Sequence, residues 1–184
     1  MTRRGIQLVI LCEDQQQEFF ARHFFLSRGF PRQKIRVRKS PKGKGSGEQY
    51  VREHYPQEVE AYRSRSAYRS VGLAVVIDAD TQTVEQRLVQ LDSALEVDSQ
   101  QRRQPEEKIA VFVPKRNIET WIHYLKGQTV DEETVYPRLS RERECKPYVQ
   151  KLARDICASG LAEDAPPSLH TACDELQRIL PSNN

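Results

Sequence analysis

Four short apolar stretches interrupt an otherwise polar chain, and the segments between them carry helical periodicity. Residues 6–12 are apolar apart from Gln7, and a helical pattern follows over 14–27. Residues 34–38 alternate, with Ile35 and Val37 set between basic side chains, as a half-exposed strand near a sheet edge does. A turn-rich loop, Ser40-Pro41-Lys42-Gly43-Lys44-Gly45-Ser46-Gly47, leads into a polar helix over 48–66, for which Pro56 predicts a break. Residues 73–77 are apolar without interruption, the pattern of a central strand buried on both faces. Val84, Leu88, Leu91 and Leu95 then fall at helical spacing over 81–97. A fourth strand is predicted at 109–113, ended by Pro114. After it Asn117 is placed to cap a short helix that buries Ile118, Trp121, Ile122 and Leu125. Strands alternating with helices imply parallel pairing through right-handed crossovers, so the first 125 or so residues read as an α/β sandwich. The rest is helical. One apolar face carries Val149, Leu152, Ala153 and Ile156, another carries Leu169, Ala172, Leu176 and Leu180, and Ala165-Pro166-Pro167 separates them.

Composition narrows the class. The chain has 184 residues, 38% hydrophobic and 30% charged, enough for one core with little to spare. No apolar run approaches the 20 or so residues that a membrane span needs. The first run meets Glu13 and Asp14 at once, with no small-residue cleavage site, so neither a membrane anchor nor a signal peptide is expected. Cys12, Cys145, Cys157 and Cys173 form no metal-binding spacing and read as incidental buried thiols of a reduced, cytoplasmic protein. The net charge is only +3, but between Phe19 and Gly47 there are nine basic residues and no acidic one. Such a stretch suits either a polyanion or plain solvent.

Three acidic positions follow strand ends. Glu13 comes directly after the first strand, and Asp78 and Asp80 follow the third, in Val75-Val76-Ile77-Asp78-Ala79-Asp80. The carboxyl ends of parallel strands form one rim, where ligands bind in open sheets. If the first and third strands are neighbours, the carboxylates converge, and an extended Asp-x-Asp puts both side chains on one side. Clustered carboxylates repel unless a cation intervenes, and hard oxygen donors suit Mg2+ or Mn2+. Helix capping is the simpler role for Asp80, just before Thr81.

A glutamate after the first strand and Asp-x-Asp after a later apolar strand resemble the signature of Toprim domains, found in topoisomerases, bacterial primases and the OLD nucleases. The local pattern is most similar to small stand-alone Toprim-like proteins of bacterial defence loci, including the RloB type. In those the first motif reads Glu-Gly-x-x-Thr-Glu before an aromatic helix. Here it reads Glu13-Asp14-Gln15-Gln16-Gln17-Glu18-Phe19-Phe20, with the glutamate spacing kept and the glycine and threonine replaced. Pro114-Lys115-Arg116-Asn117-Ile118-Glu119-Thr120-Trp121 resembles the family's later element, and the resemblance spans about residues 6–125.

The resemblance implies a Toprim-like, Rossmann-like sheet of four mostly parallel strands sandwiched by helices. The Toprim-like domain covers 1–127, and a helical appendage, 128–184, packs on it. It implies a Mg2+- or Mn2+-dependent nuclease acting on DNA or RNA, working with an ATPase partner in antiphage defence. Glu13 is then a metal ligand or general base, Asp78 and Asp80 are metal ligands, and Glu18 is a second-site ligand. Glu119 is either a catalytic group that binds a second metal or orients water, or a first-turn glutamate that favours its helix dipole. Lys115 and Arg116 are placed to hold phosphate, and Arg36, Arg38, Lys39, Lys42 and Lys44 to meet nucleic acid. The 42–47 loop lacks the Gly-Lys-Ser/Thr of a P-loop and serves equally as a phosphate cradle or a solvated connector. Two other classes stay open: a non-catalytic nucleic-acid-binding or regulatory subunit, and phosphoryl or nucleotidyl transfer to a small nucleotide.

Overall fold

The computed structural model describes residues 5–180. Four strands, β1 (Gln7–Cys12), β2 (Ile35–Lys39), β3 (Val71–Val76) and β4 (Ile109–Phe112), form one all-parallel sheet in the order β2-β1-β3-β4. The helices are α1 (Gln15–Ser27), α2 (Gly47–Ser66), α3 (Val84–Val97), α4 (Ile118–Leu125), α5 (Lys146–Lys151), α6 (Cys157–Ser159) and α7 (Pro167–Leu176). A π-helical turn, Leu152–Ile156, joins α5 to α6. The fold is α/β and Rossmann-like, as the strand–helix alternation predicts. No described helix is long and apolar enough to cross a membrane.

Two-residue alternation splits the sheet between two cores. Leu8, Ile10 and Cys12 of β1, with Ala74 and Val76 of β3, face α1, α4 and the C-terminal helices. Leu11 of β1, with Leu73 and Val75 of β3, packs under Val51, Tyr55 and Val59 of α2 and Leu91 and Leu95 of α3. Every residue of β3 is buried, which accounts for its unbroken apolar sequence. Val149, Leu152, Leu169, Leu176 and Leu180 belong to the same core as Phe25 and Leu8, so the C-terminal helices complete that layer. The side chain of Ile156 lies outside the described residues.

The two sheet edges are handled differently. β2 carries Arg36 and Arg38 outward, and charged side chains blunt an open edge. β4 is sealed: Glu175 of α7 accepts from the Val111 N–H at 2.8 Å, Arg103 donates to the Ile109 carbonyl at 3.0 Å, and the two side chains pair.

Several sequence expectations need correction. Pro56 does not break α2, which runs through it. A proline removes one intrahelical bond, whereas Val51, Tyr55, Val59 and Tyr62 hold both halves of the helix on the sheet. α3 starts at Val84 rather than Thr81, because Thr83 and Gln86 form a reciprocal capping box, with Gln86 N–H to Thr83 Oγ1 at 3.0 Å and Thr83 N–H to Gln86 Oε1 at 2.9 Å. Asn117 stands at the N-cap of α4 without making a side-chain cap. Cys12 and Cys145 are buried, but Cys157 and Cys173 are only half-buried.

Candidate functional site

Because all four strands run the same way, their carboxyl ends share one rim. A cleft of about 750 Å³ opens there, lined by Glu13, Asp14, Asp78, Asp80, Asn117 and Glu119, by the 40–47 loop, and by Arg138 and Glu142. β1 and β3 are direct neighbours, which brings Glu13 to the segment carrying Asp78. Glu13 Oε2 accepts the Asp78 backbone N–H at 2.5 Å.

Glu13, Asp78 and Asp80 are not occupied with capping their nearest helices. Asp14 caps α1, its Oδ1 accepting from Gln17 N–H at 2.9 Å, and leaves Glu13 free. Thr83 caps α3 and leaves Asp78 and Asp80 free. The simpler role of Asp80 is thereby removed. Gln17, wholly buried, clamps Glu13 from both ends: its amide donates to Glu13 Oε2 at 2.8 Å, and its oxygen accepts the Glu13 N–H at 2.9 Å.

Asp78 is 8% exposed, and its Oδ1 has no hydrogen-bond partner. Burial pushes its carboxyl well above the usual range, and Glu13, Asp14, Glu119 and Asp80 add repulsion in that order. Burial also raises Glu13 from 4.5 to about 7, against the bonds from Asp78 and Gln17. Glu119, 4% exposed, is raised by burial and by Asp14, with Arg138 opposing. Asp80 is raised by burial despite the opposing charge of Arg87.

Strain and unmet polarity gather at the same place. Asp80 and Arg116 are non-glycine residues with φ of 53° and 64°, and Asp80 N–H bonds Arg116 O at 3.0 Å. Each such residue costs about 1–3 kcal/mol and persists only where its surroundings impose it. The left-handed turn ends the extended run, so Asp78 is buried while the Asp80 side chain is 55% exposed. Among the described residues, the buried side-chain atoms without a partner are Asp78 Oδ1, Gln82 Oε1, Arg116 Nε, Asn117 Oδ1 and Thr120 Oγ1. All five belong to the segments after β3 and β4, whereas native structures ordinarily satisfy such atoms.

Arg87, which the sequence pattern does not single out, organises this wall from α3. Its side chain is 4% exposed. It donates to the Asp78 carbonyl at 2.9 Å, Glu48 at 3.1 Å, Gln90 at 2.8 Å and Asp80 at 3.2 Å. A second unanticipated contributor, Arg138, lies in the irregular chain between α4 and α5. That segment is pinned by His123 to Pro137 O at 3.3 Å, by Ser168 N–H to Glu132 at 2.9 Å and by Gln16 to Glu142 O at 3.2 Å.

The remaining predicted residues fall in different places. Glu18 is not among the cleft-lining residues. Burial alone would raise its carboxyl, but bonds from Lys39 at 2.7 Å and Arg22 at 3.0 Å hold it below the usual range. Lys39 lines the cleft with its ammonium committed to Glu18, and Lys42 lines it from the loop. Lys44 is exposed on that loop outside the lining. Arg36 lies in a separate groove beside α2, and Arg38 faces Glu58 at 3.4 Å. Lys115 donates to the Gln82 carbonyl at 2.8 Å, and Arg116 is directed toward Glu133 at 3.7 Å.

The expected shared cation site is not assembled as it stands. No group of three or more His, Cys, Asp or Glu side chains among the described residues is arranged to hold a metal ion. The physical reason is local: Arg87 holds Asp80, while Gln17 and the Asp78 N–H hold Glu13. The donor chemistry nevertheless fits a hard divalent ion, since the donors are carboxylates and the buried Asp78 Oδ1 is unpartnered.

Two measurements follow from this packing. A Cβ on Gly47 would lie 2.7 Å from Glu13 Cβ and 3.0 Å from Glu13 O, so Gly47→Ala forces the start of α2 away from the rim. It is expected to cost about 1–3 kcal/mol in urea denaturation. The folded-state pKa of Glu13 lies above its unfolded value, so the stability it supports is complete below pH 4.5 and is lost as pH rises through about 7. In EDTA, Glu13→Gln is expected to flatten this fall, which is about 3 kcal/mol, when unfolding is followed from pH 4 to 8.

Compared with protein-family models, with curated proteins and with solved structures, the chain matches none.

Proposed function

We propose that the chain is a Mg2+- or Mn2+-dependent nuclease of the Toprim kind, acting on the phosphodiester bonds of DNA or RNA. The observation that carries this reading is the buried, unpartnered Asp78 carboxylate, beside Glu13 and near Glu119 and Asp80, on the rim of a parallel sheet. Four like charges gathered around one buried carboxylate are a poor arrangement for stability alone.

Asp78 and Asp80 would hold the ion, with Glu13 beside them as a third ligand or as the general base. A divalent ion there supplies Lewis-acid charge to the nonbridging phosphate oxygens. The side chains do the rest. Glu13, raised to about 7, is poised to take a proton near neutral pH. Lys42 and Arg138 line the walls where a phosphate backbone would lie. Gln17, which replaces the family's threonine, holds Glu13 directly, and Asp14, which replaces the glycine, caps the helix that carries Gln17, so the departures from the motif leave the leading carboxylate supported. An ATPase partner and a defence role attach to this reading through the resemblance.

The test is cleavage of plasmid and of single-stranded DNA and RNA with Mg2+ or Mn2+, alone and with a candidate ATPase. Metal-dependent cutting that Asp78→Ala abolishes supports the reading. Absence of cutting under every condition, or equal cutting by Asp78→Ala and Asp80→Ala, overturns it. The hold of Arg87 on Asp80 favours a second reading, a nucleic-acid-binding or regulatory subunit without turnover. That protein would bind nucleic acid with a steep salt dependence and no metal dependence.

A further inference from the structure

Outside the lining of the rim cleft, two of the four cysteines meet. Cys157 Sγ and Cys173 Sγ lie 2.9 Å apart across 16 residues of chain, one in α6 and the other in α7. Both are half-buried, whereas Cys12 and Cys145 are fully enclosed, and Cys145 is engaged by the Gln16 amide at 3.4 Å. A cation stands beside the pair. Arg28, at the end of α1, donates to the Ala153 carbonyl at 2.9 Å, and its charge favours the thiolate at both sulfurs. A close thiol pair with a guanidinium nearby and partial solvent access is the environment in which cysteines react.

We propose that Cys157 and Cys173 are a redox modification site that closes to an intramolecular disulfide on reaction with a peroxide. The two thiols are in contact and either can donate to the other, so either sulfur can attack while its partner resolves. Taking Cys157 as the attacking thiolate, Cys173 keeps its proton until the second step. The Cys157 sulfur attacks one peroxide oxygen and the O–O bond breaks. The departing hydroxide takes up the proton that Cys157 released and leaves as water, and Cys157 is now a sulfenic acid. The Cys173 sulfur then attacks it, the S–S bond forms and the S–O bond breaks. The hydroxyl leaves with the Cys173 proton as a second water. Two electrons pass from the thiol pair to the peroxide. The bridge ties the chain after the π-helical turn to α7, the helix that also carries Glu175 against β4.

The test uses the folded, reduced chain treated with hydrogen peroxide, then denatured, alkylated and analysed by intact mass and peptide mapping. The expected product is lighter by two hydrogens, has lost two alkylatable thiols, and yields one cross-linked peptide joining Cys157 to Cys173, which dithiothreitol reverses. In urea the same bridge is expected to form about tenfold more slowly, because the fold no longer holds the sulfurs together. Oxygen-adduct masses at either cysteine without a cross-link overturn the proposal. So does a bridge that involves Cys12 or Cys145, or one that forms as fast in urea.

Discussion

Asp78→Asn is expected to make the metal-free protein more stable and the metal-loaded protein inactive. Both effects come from one atom pair. The carboxylate is buried, its Oδ1 meets no donor, and four other acids face it. A neutral amide of the same shape removes the repulsion. Because the folded-state pKa of Asp78 is raised, its destabilising charge develops as pH rises, so the gain should grow with alkalinity. In EDTA at pH 8–9 the variant should unfold about 1–3 kcal/mol later in urea than wild type, a melting shift of about 3–8 °C. Loss of the central donor should also remove Mn2+-dependent stabilisation and lower cleavage by about 100-fold or more, beyond the 10–100-fold typical of groups that only orient a ligand. Calorimetry with and without Mn2+, paired with the cleavage assay, reads both signs. Destabilisation in EDTA would mean that Asp78 is a structural acid and not a held-apart donor.

Arg87→Ala should produce the opposite pair of signs. The guanidinium ties α3 to α2 through Glu48 and holds the Asp78 carbonyl and the Asp80 carboxylate. Removing it forfeits four hydrogen bonds and leaves a cavity. Its acidic partners are partly solvated, which keeps the cost near 2–3 kcal/mol rather than the 3–5 kcal/mol or so of a fully buried pair. At the same time Asp80 is released, so Mn2+ affinity measured by titration calorimetry should rise a few-fold. Arg87→Lys keeps the charge without the fork and should fall between the two. A variant that loses stability and metal affinity together would show that Arg87 supports the site instead of competing for Asp80.

The sheet was legible because its signals are local. An unbroken apolar run can only be an inner strand in a chain this lean, and β3 proved buried at every position. The neighbouring of β1 and β3 was conditional in the sequence, since strand order depends on long-range packing that periodicity does not encode. The roles of Asp78 and Asp80 turned on who caps α3, and Thr83-x-x-Gln86 was a readable capping box that settles it for Thr83. Gln17 was likewise within reach, four residues after Glu13 at the opening of a helix. Arg87 and Arg138 were not. Arg87 lies on a helix whose readable signal is its leucine and valine spacing, where a buried arginine leaves no pattern, and Arg138 sits in irregular chain that carries no period. Glu18 misled because sequence spacing near Glu13 says nothing about Lys39, which reaches it from a different strand.

The seal on β4 has a consequence for the chain as it is made. Val111 must wait for Glu175, 64 residues later, before its N–H is covered. A ribosome adding about 5–20 residues per second therefore extrudes the last strand seconds ahead of its cover. During that interval the nascent chain bears an open edge at β4, which has no outward arginines like those of β2.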